Sequence, residues 1–192
     1  MNWNRLVRTK APTKAPLTPD ELADWVRQDL VEDYTVIEQL IQDATDYIEG
    51  PNGIGVALGV QEWRYRLDAF PGVIHIPLSP VITVDAVKYV TTEGAEQTLA
   101  ADQYKADVDS KPARIAPARN KSWPTTADEI NAVTVEFTAG LDPVPGDLRR
   151  AVALLAAHWY ENRQATSIGN EVTEAPFAVE AILNRYRVGV FA

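Results

Sequence analysis

The chain has 192 residues, of which 46% are hydrophobic, and this length is enough to bury one sizeable core. It contains no cysteine, which excludes disulfides and thiolate metal sites, and no apolar run approaches the roughly 18 residues that a membrane-spanning helix needs. The formal net charge of −9 argues against a general affinity for nucleic acid, because binding to phosphates depends on Lys and Arg releasing counterions. We therefore expect a protein with no membrane partner and no sequence-specific contact with DNA.

The charge is unevenly distributed along the N-terminal quarter. Residues 1–16 contain four cations and no acid, whereas residues 17–49 contain ten acids against Arg27 alone. Pro12 and Pro16 disfavour helix in the basic start. The pattern predicts a flexible basic arm over residues 1–16, either a solvated tail or a docking segment.

Two helices are predicted over residues 18–49. Thr18 can cap the first one, Pro19 fits its first position, and Glu21 can reach back to the cap amide. A second helix starts at an Asp33 cap and stops at Gly50. Both helices carry an apolar stripe and an acidic outer side.

The pattern then changes to alternation over residues 60–140, as in Trp63, Tyr65 and Leu67 with polar residues between them. Further short strands are predicted at 73–76, 82–90, 103–108, 113–115 and 132–138. The Gly53-Ile54-Gly55 stretch before them is interpreted as a flexible connection, because no Gly-Lys-Ser/Thr follows it and it comes after a helix.

The helical period returns over residues 145–187, where Pro145 opens a long helix at about 147–164 and a second helix follows at 176–187. The order helices, strands, helices predicts an α+β fold that is mainly α: a helical bundle with a β-rich insertion between its N-terminal and C-terminal helices. Residues 17–188 would form this single domain, followed by a short tail at 189–192.

The sequence offers only weak candidates for catalytic or metal-binding residues. His75 and His158 are the only imidazoles, and neither has a second histidine or a cysteine at metal spacing. Acid pairs such as Asp107 with Asp109 are more typical of solvated turns, and no serine lies in a Gly-x-Ser-x-Gly elbow. The sequence predicts no enzyme, metal or cofactor; the alternative is a small hydrolase or metal enzyme that uses scattered acids and one of the histidines.

Aromatic residues and arginines instead concentrate in the two C-terminal helices and the tail. Trp, Tyr and Arg are enriched where interfaces carry their energy. Taken alone, Trp159 and Tyr186 are more typical of an ordinary core, and surface solvation also explains the arginines. The interface candidates are Arg149, Arg150, Trp159, Tyr160, Arg163, Tyr186, Arg187 and Phe191.

The chain resembles the head-tail connector (adaptor) proteins of tailed bacteriophages and related gene transfer agents over roughly residues 17–188. The residues that carry the resemblance are Leu17-Thr18-Pro19-Asp20-Glu21, Trp63, Leu67-Asp68-Ala69-Phe70-Pro71, Pro77-Leu78-Ser79-Pro80-Val81, Val87-Lys88-Tyr89, Trp123-Pro124, Val135-Glu136-Phe137-Thr138-Ala139-Gly140, Val144-Pro145 to Arg163, and Pro176 to Arg187. The order and spacing of these elements are more specific than any one of them.

The resemblance implies a dodecameric ring beneath the portal protein that extends the DNA channel and offers a docking surface to a stopper or tail-terminator protein. It implies a virion location, at the neck, after assembly in the host bacterial cytoplasm, and it carries no catalytic residues. Family members often dock on the portal through a terminal segment, so the apolar tail with Phe191 and the basic arm are both candidates. The nearest alternative is another neck component, a stopper or tail-completion protein.

The acidity of the chain suits this role, because a negative channel wall repels DNA and does not grip its phosphates. We expect acids of residues 17–49, or of the β-rich insertion, to line or flank the channel.

Overall fold

The computed structural model describes residues 5–26, 33–50, 53–162 and 177–187. Among these residues 33% are helical and 30% lie in strands. The helices are α1 (Pro19–Val26), α2 (Tyr34–Ile48), α3 (Gly146–Glu161) and α4 (Phe177–Tyr186). The strands are β1 (Leu6–Lys10), β2 (Gln61–Leu67), β3 (Ile74–Ile76), β4 (Val81–Val90), β5 (Glu96–Thr98), β6 (Tyr104–Asp107), β7 (Ala113–Pro117) and β8 (Val133–Ala139).

The prediction of a mainly α helical bundle is wrong. The described chain has as much sheet as helix, arranged in two antiparallel sheets. The strands bury a core of their own, centred on Phe137, Ile74 and Ile115, beside the core that the helices enclose. The error arose because each strand is short, so its alternating pattern carries less weight than a long helical stripe, although together the strands make half of the fold.

A five-stranded sheet with the order β1-β2-β8-β4-β5 organises this half. In its register Trp63 lies opposite Phe137 and Tyr65 opposite Val135, and all four side chains are buried. The opposite face is polar and carries cross-strand ion pairs, such as Lys88 with Glu136 on β8 at 2.8 Å. This alternation is typical of an antiparallel sheet with one face on the core.

The first strand corrects the prediction of a flexible arm over residues 1–16. Leu6 to Lys10 form the edge strand β1, paired with β2, and Leu6 is buried against the sheet core. Two of the arm's cations hold this edge to the sheet: Arg5 contacts Asp68 at 2.6 Å and Lys10 contacts Glu62 at 2.8 Å. The partners lie more than 50 residues away in the sequence, so no local pattern indicates the strand.

The second sheet has the order β3-β7-β6. Ile74 and Ile76 of β3 and Ile115 of β7 are fully buried beneath it. Strand β5, which the sequence did not predict, is short and fully exposed, and it extends the larger sheet at the far edge.

The helical half is organised around α3. Its buried residues include the consecutive Ala151, Val152 and Ala153, so the helix is enclosed on most sides. It contacts α1 and α2 on the one hand and α4 on the other. As the sequence predicts, Thr18 and Glu21 form a capping box at α1: the Thr18 amide donates to Glu21 Oε2 at 2.9 Å, and the Glu21 amide donates to Thr18 Oγ1 at 3.3 Å.

Residues 53–59 join the two halves and are not the flexible connection predicted for Gly53-Ile54-Gly55. Ile54, Val56 and Leu58 are buried in the helical core, whereas Ala57 is buried in the sheet core. Parallel bridges tie Val56 to Ser79 and Leu58 to Leu141.

At the end of this segment the backbone at Gly59 lies so close to the backbone that follows β8 that position 140 must be a glycine. Gly140 has a φ of +140°, and a Cβ there would lie 1.8 Å from the carbonyl oxygen of Gly59. Any side chain at position 140 would therefore push the end of β8 away from the joining segment.

A buried carboxylate completes the junction. Glu49 follows α2 and accepts hydrogen bonds from Arg8 Nη1 at 2.7 Å, from the Leu58 amide at 2.9 Å and from Gln61 Nε2 at 2.9 Å. One side chain thus links the end of α2, the joining segment and the first two strands. Burial raises the pKa of Glu49 above its ordinary value, and the Leu58, Gln61 and Arg8 contacts oppose that rise.

Candidate assembly surface

Trp159 lies in the last turns of α3 and is partly buried against the helical core. Its ring meets the edge of Tyr47 on α2, with the ring centroids 5.9 Å apart and the planes perpendicular. Edge-to-face contact of this kind is favourable. Tyr47 itself is half exposed, so the pair lies at the boundary between the core and the surface.

The two predicted tyrosines are held by acids that are distant in sequence. Tyr160 donates its hydroxyl hydrogen to Asp33 Oδ2 at 2.8 Å, which ties the end of α3 to the start of α2. Tyr186 donates to Asp147 Oδ1 at 2.6 Å, which ties the end of α4 to the start of α3. The hydrogen bond to Asp147, helped by partial burial, raises the pKa of Tyr186.

Arg149 and Arg150 sit side by side on the first turn of α3 but have different surroundings. Arg149 donates to the Pro16 carbonyl oxygen at 2.9 Å and pairs with Glu21. The Thr18 amide and Arg149 lower the pKa of Glu21. Arg150 is exposed, and its guanidinium lies 5.9 Å from the centroid of the exposed Trp25 ring, a cation–π geometry.

The predicted interface residues therefore do not converge on one patch. Arg149, Tyr160 and Tyr186 hold helices to one another, whereas Arg150 and Arg187 are exposed. Arg163 and Phe191 lie outside the described residues. Contact of any of these residues with another subunit stays a prediction.

Two surface features escaped the sequence analysis. One is a set of exposed large apolar residues on the helical half: Trp25, Tyr34, Val36, Tyr47 and Phe177. Positions 36 and 47 lie off the apolar stripe of α2, and this helical phase was a signal that could have identified them. The other is a cationic groove in which Lys111, far away in the sequence, joins Arg185 and Arg187; no local pattern indicates it.

The predicted chemical candidates are placed apart. His75 is exposed on β3 opposite Arg114, and His158 Nδ1 lies 3.2 Å from the side-chain amide of Asn162. Asp107 accepts hydrogen bonds from Ser110 and Arg114, which lower its pKa. Among the described residues no three His, Cys, Asp or Glu side chains gather in an arrangement suited to a metal ion. No described helix is long and apolar enough to cross a membrane.

A known family model matches the C-terminal part of the chain. The profile of the family described as phage gp6-like head-tail connector protein matches residues 126–187, which contain β8, α3 and α4. No curated protein sequence gives a significant match.

Solved structures match the chain over nearly its whole length. A chain from the neck of an empty gene transfer agent particle, computed with C6 symmetry, has a TM-score of 0.78 and 28% sequence identity over 97% of both chains. A chain from the neck of the native particle, computed with C12 symmetry, has a TM-score of 0.76 and 27% identity over 97% of both chains. A chain from the virion of a native gene transfer agent particle has a TM-score of 0.77 and 26% identity, again over 97% of both chains. The profile match over residues 126–187 and the full-length similarity to neck chains confirm the resemblance to head-tail connector proteins that the sequence indicated.

Proposed function

We propose that the protein is a structural component of the neck of a tailed phage or gene transfer agent particle, where it forms an adaptor ring beneath the portal. The observation that carries this proposal is the similarity to neck chains over 97% of both chains. The similarity thus includes both the helical half and the two sheets.

The proposed ring contains twelve copies. The support is that one related neck was computed with C12 symmetry and another with C6 symmetry, a subgroup of it. Identical subunits in a closed ring use two different surfaces, each meeting its complement on the next copy. Each contact can be weak, because closure makes every subunit bind at two places at once.

The ring would extend the DNA channel and present a surface to a stopper or tail-terminator protein, without catalysis. DNA would pass without being gripped, which the net charge of −9 favours because a negative wall repels phosphates. The location follows from this role: the virion neck in the finished particle, and the host cytoplasm during assembly.

The test is to mix the purified protein with the portal protein of the same particle and to image the product by negative-stain electron microscopy. Protein alone, portal alone and a portal from an unrelated phage are the controls. A ring stacked coaxially on the cognate portal is the expected result. If the folded protein does not bind the portal but binds the tail-side components, it is another neck protein. If it binds neither the portal nor the tail-side components, the proposal is refuted.

A further inference from the structure

Two sets of exposed charges of opposite sign lie on the subunit, one on α2 and one at the end of α4. Helix α3 contacts α1 and α2 as well as α4. In α2, Ile37, Ile41 and Ala44 are buried and Tyr47 contacts Trp159 of α3, whereas the acidic side chains of the helix are exposed. The cations at the end of α4 line a groove with Lys111 and Pro80, and no residue of α2 lines that groove.

The outer side of α2, which we call the acidic face, carries Glu38, Asp43 and Asp46, all exposed. Within the described residues Glu38 and Asp43 pair with no cation, and Asp46 reaches Arg8 only at 3.5 Å. Val36 and Tyr47 on the same helix are 42% and 50% exposed. The acidic face thus combines unneutralised charge with exposed apolar surface, and interfaces place apolar residues at the centre and polar ones at the rim.

The cationic groove lies at the end of α4 and has a volume of about 390 Å³. Lys111, Arg185 and Arg187 line it together with Tyr186 and Pro80. Among the residues that the structure describes, Arg185 and Arg187 reach acids only at 3.4 Å, and their side chains are 71% and 53% exposed. Lys111 is exposed and pairs with no acid among the described residues. The three cations are therefore available to a partner.

We propose that the cationic groove of one copy receives the acidic face of the next copy. This inference rests on the proposed function, since a ring of identical subunits needs two different and complementary surfaces. Charge complementarity selects this pair. Among the described residues the acidic face has one long contact with a cation, from Asp46 to Arg8 at 3.5 Å, and the groove has three cations with long or absent partners. Opposite charges at the margin of an interface set its register and reject wrong pairings.

Two charge-reversed variants test the pairing. The first carries Glu38→Lys and Asp43→Lys on the acidic face, and the second carries Lys111→Glu and Arg185→Glu in the groove. In each variant the two surfaces bear the same sign, so we expect its ring yield, alone or on the portal, to fall at least about tenfold below wild type. An equimolar mixture is expected to restore rings, because the two variants are complementary when they alternate.

Matched controls reverse exposed charges elsewhere. Glu129→Lys and Arg119→Glu lie in the segment between β7 and β8, outside both surfaces, and should form rings as wild type does. Since the chain has no cysteine, cross-linking supplies a second measurement. A copy with Asp43→Cys and a second copy with Lys111→Cys should form a disulfide-linked dimer on oxidation. A copy with Glu129→Cys, used in place of the Asp43→Cys copy, should form no such dimer.

Several outcomes overturn the pairing while the proposed function stands. One is ring formation by both reversed variants at wild-type yield. Another is failure of the mixture to restore rings although each variant keeps the wild-type circular dichroism and melting temperature. A third is a first variant that still forms rings but now retains double-stranded DNA, which would place the acidic face in the channel wall. If wild-type protein forms no ring even with the portal, the proposed function fails, and the pairing fails with it.

Discussion

Removal of the Glu49 carboxylate by Glu49→Ala should destabilise the junction between the helical and sheet halves. The side chain is 4% exposed, whereas that of its partner Arg8 is 31% exposed. The substitution leaves the Leu58 amide and the Gln61 side-chain amide without their acceptor in a buried place. Breaking a buried pair costs about 3–5 kcal/mol when both charges are enclosed; because Arg8 keeps contact with water, we expect about 2–4 kcal/mol.

Urea unfolding followed by tryptophan fluorescence measures this loss. For a chain of this length each 1 kcal/mol lowers the melting temperature by about 2–4 °C, so the expected shift is about 5–15 °C. The matched control is Glu62→Ala, which removes an exposed ion pair with Lys10 and should cost no more than about 1 kcal/mol. If Glu49→Ala unfolds within about 0.5 kcal/mol of wild type, the carboxylate does not hold the junction and the reasoning fails.

Three further substitutions have defined outcomes. Because the pKa of Glu49 is raised above 4.5, the folded state keeps the Glu49 proton to higher pH than the unfolded state does, so the contribution of Glu49 to stability is greatest below pH 4.5 and is lost as pH rises through the folded pKa. The stability of wild type relative to Glu49→Gln should therefore fall as pH rises over that window. A stability difference between the two proteins that does not change with pH would contradict this. Trp159→Ala should lower the free energy of unfolding by about 1–3 kcal/mol, measured by thermal unfolding, which is less than the loss of a fully buried side chain because the indole is only partly buried. An unchanged melting temperature and an unchanged yield of the oligomeric ring would show that the contact with Tyr47 contributes nothing. Thr18→Ala removes the cap of α1 and should cost about 1 kcal/mol in urea unfolding, with Thr92→Ala, at an exposed hairpin turn, as a neutral control.

Local patterns predicted elements well where they were long or regular. The alternation around Trp63 and Tyr65 located β2, and the apolar period after Pro145 located α3 within a few residues at its end. The edge strand β1 was missed because only Leu6 points into the core and its pairing partners follow more than 50 residues later. The mainly α fold class was wrong for a related reason: the sheets exist through pairings between distant segments, which periodicity does not report.

The same limit applies to the candidate surface. Tyr160 and Tyr186 are residue types suited to interfaces, yet each donates a hydrogen bond to an acid within the same chain, 127 and 39 positions away respectively. The cationic groove likewise brings Lys111 beside residues of α4. In contrast, the family resemblance depended on order and spacing along the chain, which are properties of the sequence itself, and it was confirmed.

The segment that joins the two halves also determines how the subunit responds to force. Ile54, Val56 and Leu58 point into one core and Ala57 into the other, so a torque applied to the sheets is transmitted to the helices through close-packed side chains. A hinge needs residues that can change φ and ψ without losing contacts, and here a change at Ile54, Val56 or Leu58 would withdraw a buried side chain from the helical core. In the proposed ring each subunit should therefore tilt as one stiff body, and strain would be relieved between neighbouring copies and not within them.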